Sequence, residues 1–243
     1  MKDFELPEEH LMDLDIEGVR RISLICTDAD LHELVFGFLR NEGIIASCED
    51  VAHWEVNPDH TLAKVFLRKE TLERYRAQGE IPADLRPSGL GGHQLKFDLS
   101  IPRSDDEFVL TNNGLRTFGQ KMDEYAVLHK RMGGVHCSAL FSEWELLSVF
   151  EDIGRHNTLD KISGDLLIRG VEPGKQCVLV TTGRISSDMA RKAACLGASV
   201  ICSYSVATKR AFDAAQAANL TLVAYLGRRS MRVLCGYQRV AVD

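Results

Sequence analysis

Two arginine-bearing turns carry the most distinctive chemistry of this chain. They read Asp152-Ile153-Gly154-Arg155-His156-Asn157 and Thr182-Gly183-Arg184-Ile185-Ser186-Ser187. Each phrase follows an apolar, β-branched run and precedes a segment with helical periodicity, which predicts a strand, a glycine turn and a helix. If both strands lie in one parallel sheet, both turns meet at its carboxyl edge, where guanidinium groups and helix-end amides favour an anion. We therefore predict an anion or nucleotide site; the alternative is that the arginines pair with Asp152, Asp160 or Asp188.

Two histidines and one cysteine stand next to these features. His156 adjoins Arg155, and His136 follows a pair of glycines, so both rings could meet at one pocket if their strands adjoin. An imidazole titrates near neutral pH, and either ring could contact a ligand or shuttle a proton; the alternative is a structural or surface histidine. Cys137 follows His136, but adjacent side chains on a strand face opposite ways, which favours a buried thiol.

Polar and basic residues further along the chain extend the candidate site. The run Ser186-Ser187-Asp188 is the plainest helix cap in the sequence, and its hydroxyls are compatible with a second use as donors to a phosphate. Arg228, Arg229 and Arg232 follow the last strand predicted at the pocket edge. They could close over an anionic ligand or form an exposed basic turn.

Composition indicates an ordinary soluble protein of one large or two small domains, with 243 residues of which 45% are hydrophobic and 26% charged. There is no uninterrupted apolar window of about 18 residues and no apolar N-terminal segment, so we expect a cytoplasmic protein without a membrane span. Residues 151–243 carry 13 Lys and Arg against 8 Asp and Glu, within a net charge of −6. That total disfavours bulk attraction to nucleic acid but allows a local phosphate site.

The seven cysteines are scattered along the chain and are never spaced as Cys-x-x-Cys. This spacing argues against a disulfide framework and against a Cys-rich metal site. We expect no bound zinc, and we expect most of the thiols to be buried as small hydrophobic groups.

The pattern of elements predicts an α/β protein of two parts. Residues 1–107 form a smaller α+β part with a Gly- and Pro-rich loop at 81–94, and residues 108–243 form a part in which strands and helices alternate, typical of three α/β/α layers. The predicted strands are 19–26, 51–56, 62–68, 136–141, 146–151, 177–181, 199–204, 220–225 and 231–236. The predicted helices are 28–41, 112–130, 157–168, 186–196 and 208–218, the first capped by Thr27 or Asp28.

Several of these phrases together resemble the FdhD family of formate dehydrogenase accessory proteins. The longest is the block Glu151–Lys161 with its Glu-Asp-x-Gly-Arg-His-Asn core, and the others include Gly133–His136, Thr182–Ser187, Ser205–Thr208 and Asp30–Leu39. The resemblance covers nearly the whole chain. It implies a carrier that passes sulfur from a cysteine desulfurase to the molybdenum or tungsten bis-guanine-dinucleotide cofactor before that cofactor enters formate dehydrogenase. GDP would be a partial mimic of the bound cofactor.

The resemblance further implies a cytoplasmic, often dimeric protein whose C-terminal domain has the cytidine-deaminase fold. In that fold two helix starts normally hold zinc through His-x-Glu and Pro-Cys-x-x-Cys, and the two Gly-Arg turns stand in those places here. The cofactor contacts predicted from the turns and the resemblance together are Gly134, His136, Gly154, Arg155, His156, Asn157, Gly183, Arg184, Ser186, Ser187, Ser205, Tyr225, Leu226, Gly227, Arg228, Arg229 and Ser230.

The sequence departs from the family at the sulfur-carrying loop. The family reads Cys-Gly-x-Cys-Gly, whereas this chain has Ser88-Gly89-Leu90-Gly91-Gly92, so that Ser88 and Gly91 replace the two cysteines. A hydroxyl group cannot stand in for the thiolate that a persulfide needs. Three alternatives follow: the chain binds the cofactor without carrying sulfur, Cys137 takes over the carrier role, or the activity has given way to another role. The segment Tyr225–Ser230 also shifts the arginine of the family's tail phrase by one residue.

Two functions of other classes compete with this hypothesis. A nucleotide-binding or regulatory module without catalysis is favoured by the missing loop cysteines. A hydrolase on a deaminase-like fold would use His136 or His156 together with Glu151 or Asp152.

Overall fold

The computed structural model describes residues 5–17, 19–77 and 102–241 of the chain. The predicted loop at 81–94, with Ser88 and Gly91, lies outside these residues.

The N-terminal part is a four-stranded sheet packed on one face by helices. Its elements are β1 (His10–Ile16), β2 (Arg20–Cys26), α1 (Leu31–Asn41), β3 (Val51–Val56), β4 (Leu62–Leu67) and α2 (Lys69–Ala77). The strand order is β2-β1-β4-β3, with β1 parallel to β4 and the other neighbours antiparallel. Met12, Leu14 and Ile16 alternate inward on β1 and join a core that includes Leu34 and Val35 of α1. Burying this apolar face is what holds the sheet against the helices.

The C-terminal part is built on a six-stranded mixed sheet. Its elements are β5 (Leu110–Thr111), α3 (Asn112–Tyr125), α4 (Val127–Met132), β6 (His136–Ser142), β7 (Glu145–Asp152), α5 (Arg155–Arg169), β8 (Cys177–Thr181), α6 (Ser187–Cys195), β9 (Ala198–Ser203), α7 (Lys209–Ala217), β10 (Thr221–Ala224), β11 (Arg232–Cys235) and β12 (Val240–Ala241). The sheet has the order β11-β10-β9-β8-β6-β7, while β5 pairs separately with β12.

The sheet corrects one premise of the sequence prediction. Strands β7 and β8, which precede the two arginine turns, are not neighbours in a parallel sheet, because β6 lies between them and is antiparallel to both. Strands β7 to β10 nevertheless run in one direction, since β8, β9 and β10 are mutually parallel. Their carboxyl ends and the first residue of β6 therefore lie at the same edge of the sheet.

Helices cover both faces of this sheet, which confirms the predicted three layers. On one face α5, α6 and α7 bury a cluster that includes Leu159, Met189 and Ala211. On the other face α3 contributes Leu115 and Phe118 to a second cluster, together with residues of β6, β8 and β9. The strands are thus buried on both sides, as their continuous apolar runs indicate.

The helix predicted over 112–130 is in fact two helices, and the single-helix prediction is wrong. The break lies at Ala126, whose backbone (φ −78°, ψ 66°) leaves the helical region. The carboxylate of Glu151 accepts hydrogen bonds from the backbone N–H groups of Leu128 (2.8 Å) and His129 (2.7 Å). These bonds satisfy donors at the start of α4, so a side chain from β7 fixes where the second helix begins.

The two parts meet where α1 crosses α5. A Cβ atom added to Gly37 would lie 1.7 Å from the carbonyl oxygen of Asp160, and one added to Gly164 would lie 1.9 Å from that of Glu33. Only glycine permits backbones to approach this closely. Ser104 and Asp106 also form hydrogen bonds with the C-terminal part, with the carbonyl of Ala218 (2.9 Å) and the N–H of Gln176 (2.9 Å). The domain boundary at 107 stays a prediction.

Candidate anion-binding site

The two arginine turns converge at the carboxyl edge of the six-stranded sheet. His136 opens β6 and pairs in register with Asp152, the last residue of β7. A Cβ atom on Gly183 would lie 3.0 Å from Cβ of Arg155 and 3.2 Å from Nδ1 of His136. The turn after β8 therefore packs directly on the first residue of α5 and on the first residue of β6. His136, Arg155 and Gly183 form one cluster, with Arg184 next to it in the chain.

Arg155 has an unsatisfied donor in this cluster. Its side chain is half-buried, and its Nε is buried with no hydrogen-bond partner among the described residues. Burial lowers the pKa of Arg155, and the neighbouring Arg184 lowers it further. A buried N–H without an acceptor is costly in free energy, and two adjacent guanidinium groups repel each other. An anion placed between them would relieve both effects.

The alternative that both arginines pair with nearby aspartates is wrong. Asp152 pairs with Lys161 (2.8 Å), Asp160 with Lys192 (2.8 Å) and Asp188 with Arg191 (2.8 Å). Within the part of the chain that the structure describes, neither Arg155 nor Arg184 forms a salt bridge. The positive charge of the turns is therefore not neutralised by these carboxylates, which are held by other cations.

Side-chain hydroxyl groups form a hydrogen-bond network that contacts the backbone of the arginine turns. Thr181 accepts a hydrogen bond from the N–H of Gly183 (3.1 Å), and the hydroxyl of Ser203 donates to the carbonyl of Gly183 (2.6 Å). Ser138 joins Thr181 to Thr158 on α5 (2.9 and 2.7 Å). Sequence reasoning missed these residues, although Thr181 and Ser203 each directly follow a run of apolar residues at the end of a strand. Their bonds fix the backbone that presents Arg184.

His156 is neutral and held between the two helix starts. Its Nε2 lies 2.9 Å from Oγ of Ser186 and 4.0 Å from a carboxylate oxygen of Asp188. Burial, assisted by the charge of Lys192, lowers the pKa of His156 to about 4. Ser186 is the N-cap of α6, since its Oγ accepts from the N–H of Met189 (3.3 Å), and Ser187 is the first residue of that helix. His156 and Ser186 therefore link α5 to α6 beside the arginines.

His136 also resists protonation. Burial lowers its pKa, and the charge of Arg155 acts in the same direction. A neutral imidazole at this place can donate one hydrogen bond to an anion through whichever ring nitrogen carries the proton.

The carboxylates that a hydrolase would need are engaged elsewhere. Glu151 caps α4, and the side chain of Asp152 is fully buried in its ion pair with Lys161. Neither carboxylate forms a hydrogen bond with His136 or His156 among the described contacts. The geometry therefore gives no support to a histidine–carboxylate catalytic pair.

Asn157 and Gly154 fix the conformation of the turn that bears Arg155 rather than forming its exposed surface. Asn157 is buried and donates hydrogen bonds to a carboxylate oxygen of Asp152 and to the carbonyl of Ile25, each at 2.8 Å. A Cβ on Gly154 would lie 2.6 Å from Nδ2 of Asn157, so a larger residue would displace that amide. This geometry does not favour the predicted ligand contact of the Asn157 side chain, because its amide group is used to hold the turn in place.

The remaining predicted contacts lie further along the same edge or in the core. The side chain of Leu226 is buried in the core cluster beside α3, which leaves only its backbone for the predicted cofactor contact. Tyr225 has a positive φ of 57° and donates its N–H to the carbonyl of Ser205 (2.9 Å). The guanidinium of Arg228 lies 5.4 Å from the ring centroid of Tyr225. The exposed residues here are Gly227, Arg228, Arg229 and Ser230.

Gly134 lies in the turn that leads into β6. It has a positive φ of 65°, and an added Cβ would lie 3.2 Å from the ring of Pro7. This glycine permits the turn that brings His136 to the edge of the sheet.

Cys137 is unsuited to carry sulfur. Its side chain is fully buried on the face of β6 that packs against α3. Burial, together with the charge of Glu151, raises the pKa of the Cys137 thiol to about 12. Of the seven cysteines, Cys195 is exposed, Cys48 is half-buried and the others are buried.

Neither a metal cluster nor a membrane helix is found in the described part of the chain. No group of three or more His, Cys, Asp or Glu side chains within residues 5–17, 19–77 and 102–241 is arranged to hold a metal ion. The expected absence of zinc stays a prediction. No helix among the same residues has the length and apolarity to cross a bilayer.

Comparisons with known proteins agree with this fold. The model of the FdhD/NarQ family matches residues 7–241. The sulfur carrier protein FdhD of Saccharolobus solfataricus is 31% identical over 215 residues, which cover 88% of this chain and 81% of that protein. The protein of the same name from Bacillus licheniformis is 30% identical and covers 97% and 90%. The crystal structure of a proposed formate dehydrogenase accessory protein from Desulfotalea psychrophila has the same fold, with a TM-score of 0.71, 24% identity and coverage of 98% and 91%.

Proposed function

The chain belongs to the FdhD/NarQ family, and from that premise we propose that it is a formate dehydrogenase accessory protein that binds a guanine-dinucleotide molybdenum or tungsten cofactor as its client group. The nucleotide phosphates lie at Arg155 and Arg184. Formate dehydrogenase is the client enzyme, a cysteine desulfurase is the sulfur source that the family implies, and the protein acts in the cytoplasm as a homodimer. The domain that binds the cofactor has the cytidine-deaminase topology.

One observation carries the phosphate assignment: the buried Nε of Arg155, beside Arg184, has no hydrogen-bond partner among the residues that the structure describes. A phosphate oxygen supplies the missing acceptor, and charge-assisted bonds of this kind are short and strong. The N-terminus of α6 adds amide donors and a favourable dipole at the same edge. His136 can donate from its ring to the same phosphate, and burial lowers its pKa.

The same site extends along the sheet edge toward β10. The guanidinium of Arg228 lies over the ring of Tyr225, 5.4 Å from its centroid, at the carboxyl end of that strand, and Arg229 is exposed next to it. A flat aromatic base or a second phosphate group fits this chemistry, since guanidinium and phenol faces stack on planar rings.

The sulfur step is the part of the family's role that this chain is least equipped to perform. Ser88 and Gly91 stand where the family has cysteines, and Cys137 is buried with a raised pKa. We therefore propose that cofactor binding is retained without a thiol carrier in residues 88–92. A nucleotide-binding module without any role in sulfur transfer is the second candidate, and the same missing cysteines favour it.

Calorimetric titration with GDP tests the binding site. We expect Arg155→Ala and Arg184→Ala each to weaken GDP affinity by about tenfold or more, since a charge-assisted contact contributes about 1.5–3 kcal/mol. Arg169→Ala is the matched control, because Arg169 pairs with Asp165 at the far end of α5 and should leave GDP affinity unchanged. Unchanged affinity in both site variants would sink the assignment.

A further inference from the structure

We infer that Thr27, at the junction between β2 and α1, is a positioning residue for Arg155. The inference rests on the proposed anion site and adds a residue from the N-terminal part. The hydroxyl of Thr27 accepts a hydrogen bond from the N–H of Ile153 (3.1 Å), and the N–H of Thr27 donates to a carboxylate oxygen of Asp152 (3.2 Å). These reciprocal bonds hold the two residues that end β7 and lead into Gly154 and Arg155.

The hydroxyl of Thr27 is not used by its own helix. The sequence predicts Thr27 or Asp28 as the cap of α1, and that prediction is wrong, because the N-cap is Asp30 in a left-handed conformation (φ 54°) with no side-chain cap bond. Thr27 instead satisfies a backbone donor in the turn that bears Arg155. Its hydroxyl therefore serves another part of the fold.

Further contacts from the N-terminal part reach the same turn. The carbonyl of Ile25 accepts from the amide of Asn157 (2.8 Å), and Lys161, paired with Asp152, lies 3.8 Å from a carboxylate oxygen of Asp30. Residues 25 to 30 thus contact the Asp152 turn from one side. The position of Arg155 depends on how the N-terminal sheet packs on α5.

The turn of Arg184 has a different support. Gly183 is held by Thr181 and Ser203, and Ile185 donates its N–H to the carbonyl of Val206 (3.0 Å). All of these residues belong to the C-terminal sheet and its loops. Gly183 also packs against Cβ of Arg155, so a change at Thr27 should affect the position of Arg155 directly and that of Arg184 less.

The test compares Thr27→Val, which removes the hydroxyl at nearly constant shape, with Thr27→Ser, which keeps it. We expect Thr27→Val to weaken GDP binding about fivefold, the effect of about one lost hydrogen bond. Thr27→Ser keeps the hydroxyl and should bind GDP with the affinity of the parent protein. Combined with Arg155→Ala, Thr27→Val should cause no further loss; combined with Arg184→Ala, it should keep its fivefold effect. Equal loss in the Arg155→Ala background would indicate a general structural defect and overturn the inference.

Amide hydrogen exchange gives a readout that does not depend on GDP. The N–H of Ile153 should exchange faster in Thr27→Val than in the parent protein, while the N–H of Gly183 should be unchanged. Unaltered exchange at Ile153 would refute the positioning role whether or not GDP binds. Absence of GDP binding by the parent protein would instead contradict the proposed function, so the two failures can be told apart.

Discussion

At the scale of single residues, the site keeps its positive charge because each nearby carboxylate already has a cation. Lys192 is buried between Asp160 (2.8 Å) and Asp188 (3.6 Å), and the amide of Asn41 completes the contacts of Asp160 (2.7 Å). These charges raise the pKa of Lys192 despite its burial. The charge of Asp188 still reaches Arg155, but the Nε of Arg155 has no hydrogen-bond acceptor among the described residues, which is the property an anion site needs.

Buried neutral histidine makes the fold sensitive to acid. The pKa of His156 is about 4 in the folded protein and 6.5 ordinarily, so between these values the unfolded chain binds a proton that the folded chain does not. Stability is therefore unaffected by His156 above pH 6.5 and falls as the pH decreases toward 4. We expect His156→Gln to remove about 2–3 kcal/mol of this acid destabilisation at about pH 4.5, since each unit of pH below the unfolded pKa costs about 1.4 kcal/mol.

Urea unfolding at neutral pH and at about pH 4.5 measures the effect. The exposed His53→Gln variant is the control and should retain the pH dependence of the parent protein. If the free energy of unfolding of His156→Gln decreased with pH as much as that of the parent protein, His156 would not stay neutral in the folded state.

At the scale of elements, the sequence predicted those whose signal is local. The strand at 177–181 is an apolar run ended by a threonine, and the strand predicted at 136–141 is found at 136–142. The helices after both arginine turns begin within two residues of their predicted starts. Helix α2 was missed because it is mostly charged and buries only Thr71 and Tyr75. Strand β1 was missed although its buried residues Met12, Leu14 and Ile16 alternate with Asp13 and Asp15.

Long-range partners set the features that no local pattern reveals. The break between α3 and α4 carries neither glycine nor proline, and depends on Glu151 from a strand that comes later in the chain. The position of antiparallel β6 between β7 and β8 likewise depends on which strands pair with one another, and no local pattern shows that. In the candidate site, the two Gly-Arg turns could be predicted from the sequence. The contact of Thr27 could not, because it depends on the ends of β2 and β7 lying next to each other.

The crossing of α1 and α5 provides a test at this scale. We expect Gly37→Ala to destabilise the fold by more than about 3 kcal/mol, because the new methyl group would meet the backbone of Asp160 at 1.7 Å and the helices would have to separate. Alanine is otherwise favoured over glycine in helices by about 1 kcal/mol. Gly114→Ala in α3 is the matched control, since its methyl group would only approach the Trp144 ring at 3.1 Å.

Denaturant midpoints of the two variants decide the matter. Gly114→Ala should unfold close to the parent protein, and Gly37→Ala well below it. A Gly37→Ala midpoint equal to that of the parent would mean that the helices can part without cost.

At the scale of the whole molecule, the proposed anion site is assembled from both parts of the chain. The C-terminal sheet supplies Arg184 and His136, while the N-terminal part holds the turn of Arg155 through Thr27. Residues 78–101 connect α2 of the N-terminal part with the C-terminal part and contain Ser88 and Gly91. A carrier loop in the family's position would thus join the two parts that together form the site.

The last prediction concerns sulfur transfer by the intact protein. Incubation with a cysteine desulfurase and cysteine, followed by intact mass measurement, should show no stoichiometric gain of sulfur. Residues 88–92 offer no thiol, and a thiol with a pKa of about 12, such as Cys137, is ionised to only about one part in 10⁵ at pH 7. The sulfur carrier protein of Bacillus licheniformis, treated in the same way, is a positive control.

Any trace gain of sulfur should occur on a solvent-accessible cysteine. Cys195 is exposed, so Cys195→Ser should reduce that trace label. Stoichiometric label on Cys137, with loss of formate dehydrogenase maturation in Cys137→Ser, would establish a relocated carrier and contradict the buried-thiol argument. Absence of label with GDP binding intact would leave cofactor binding as the function, because the arginine turns do not depend on a thiol.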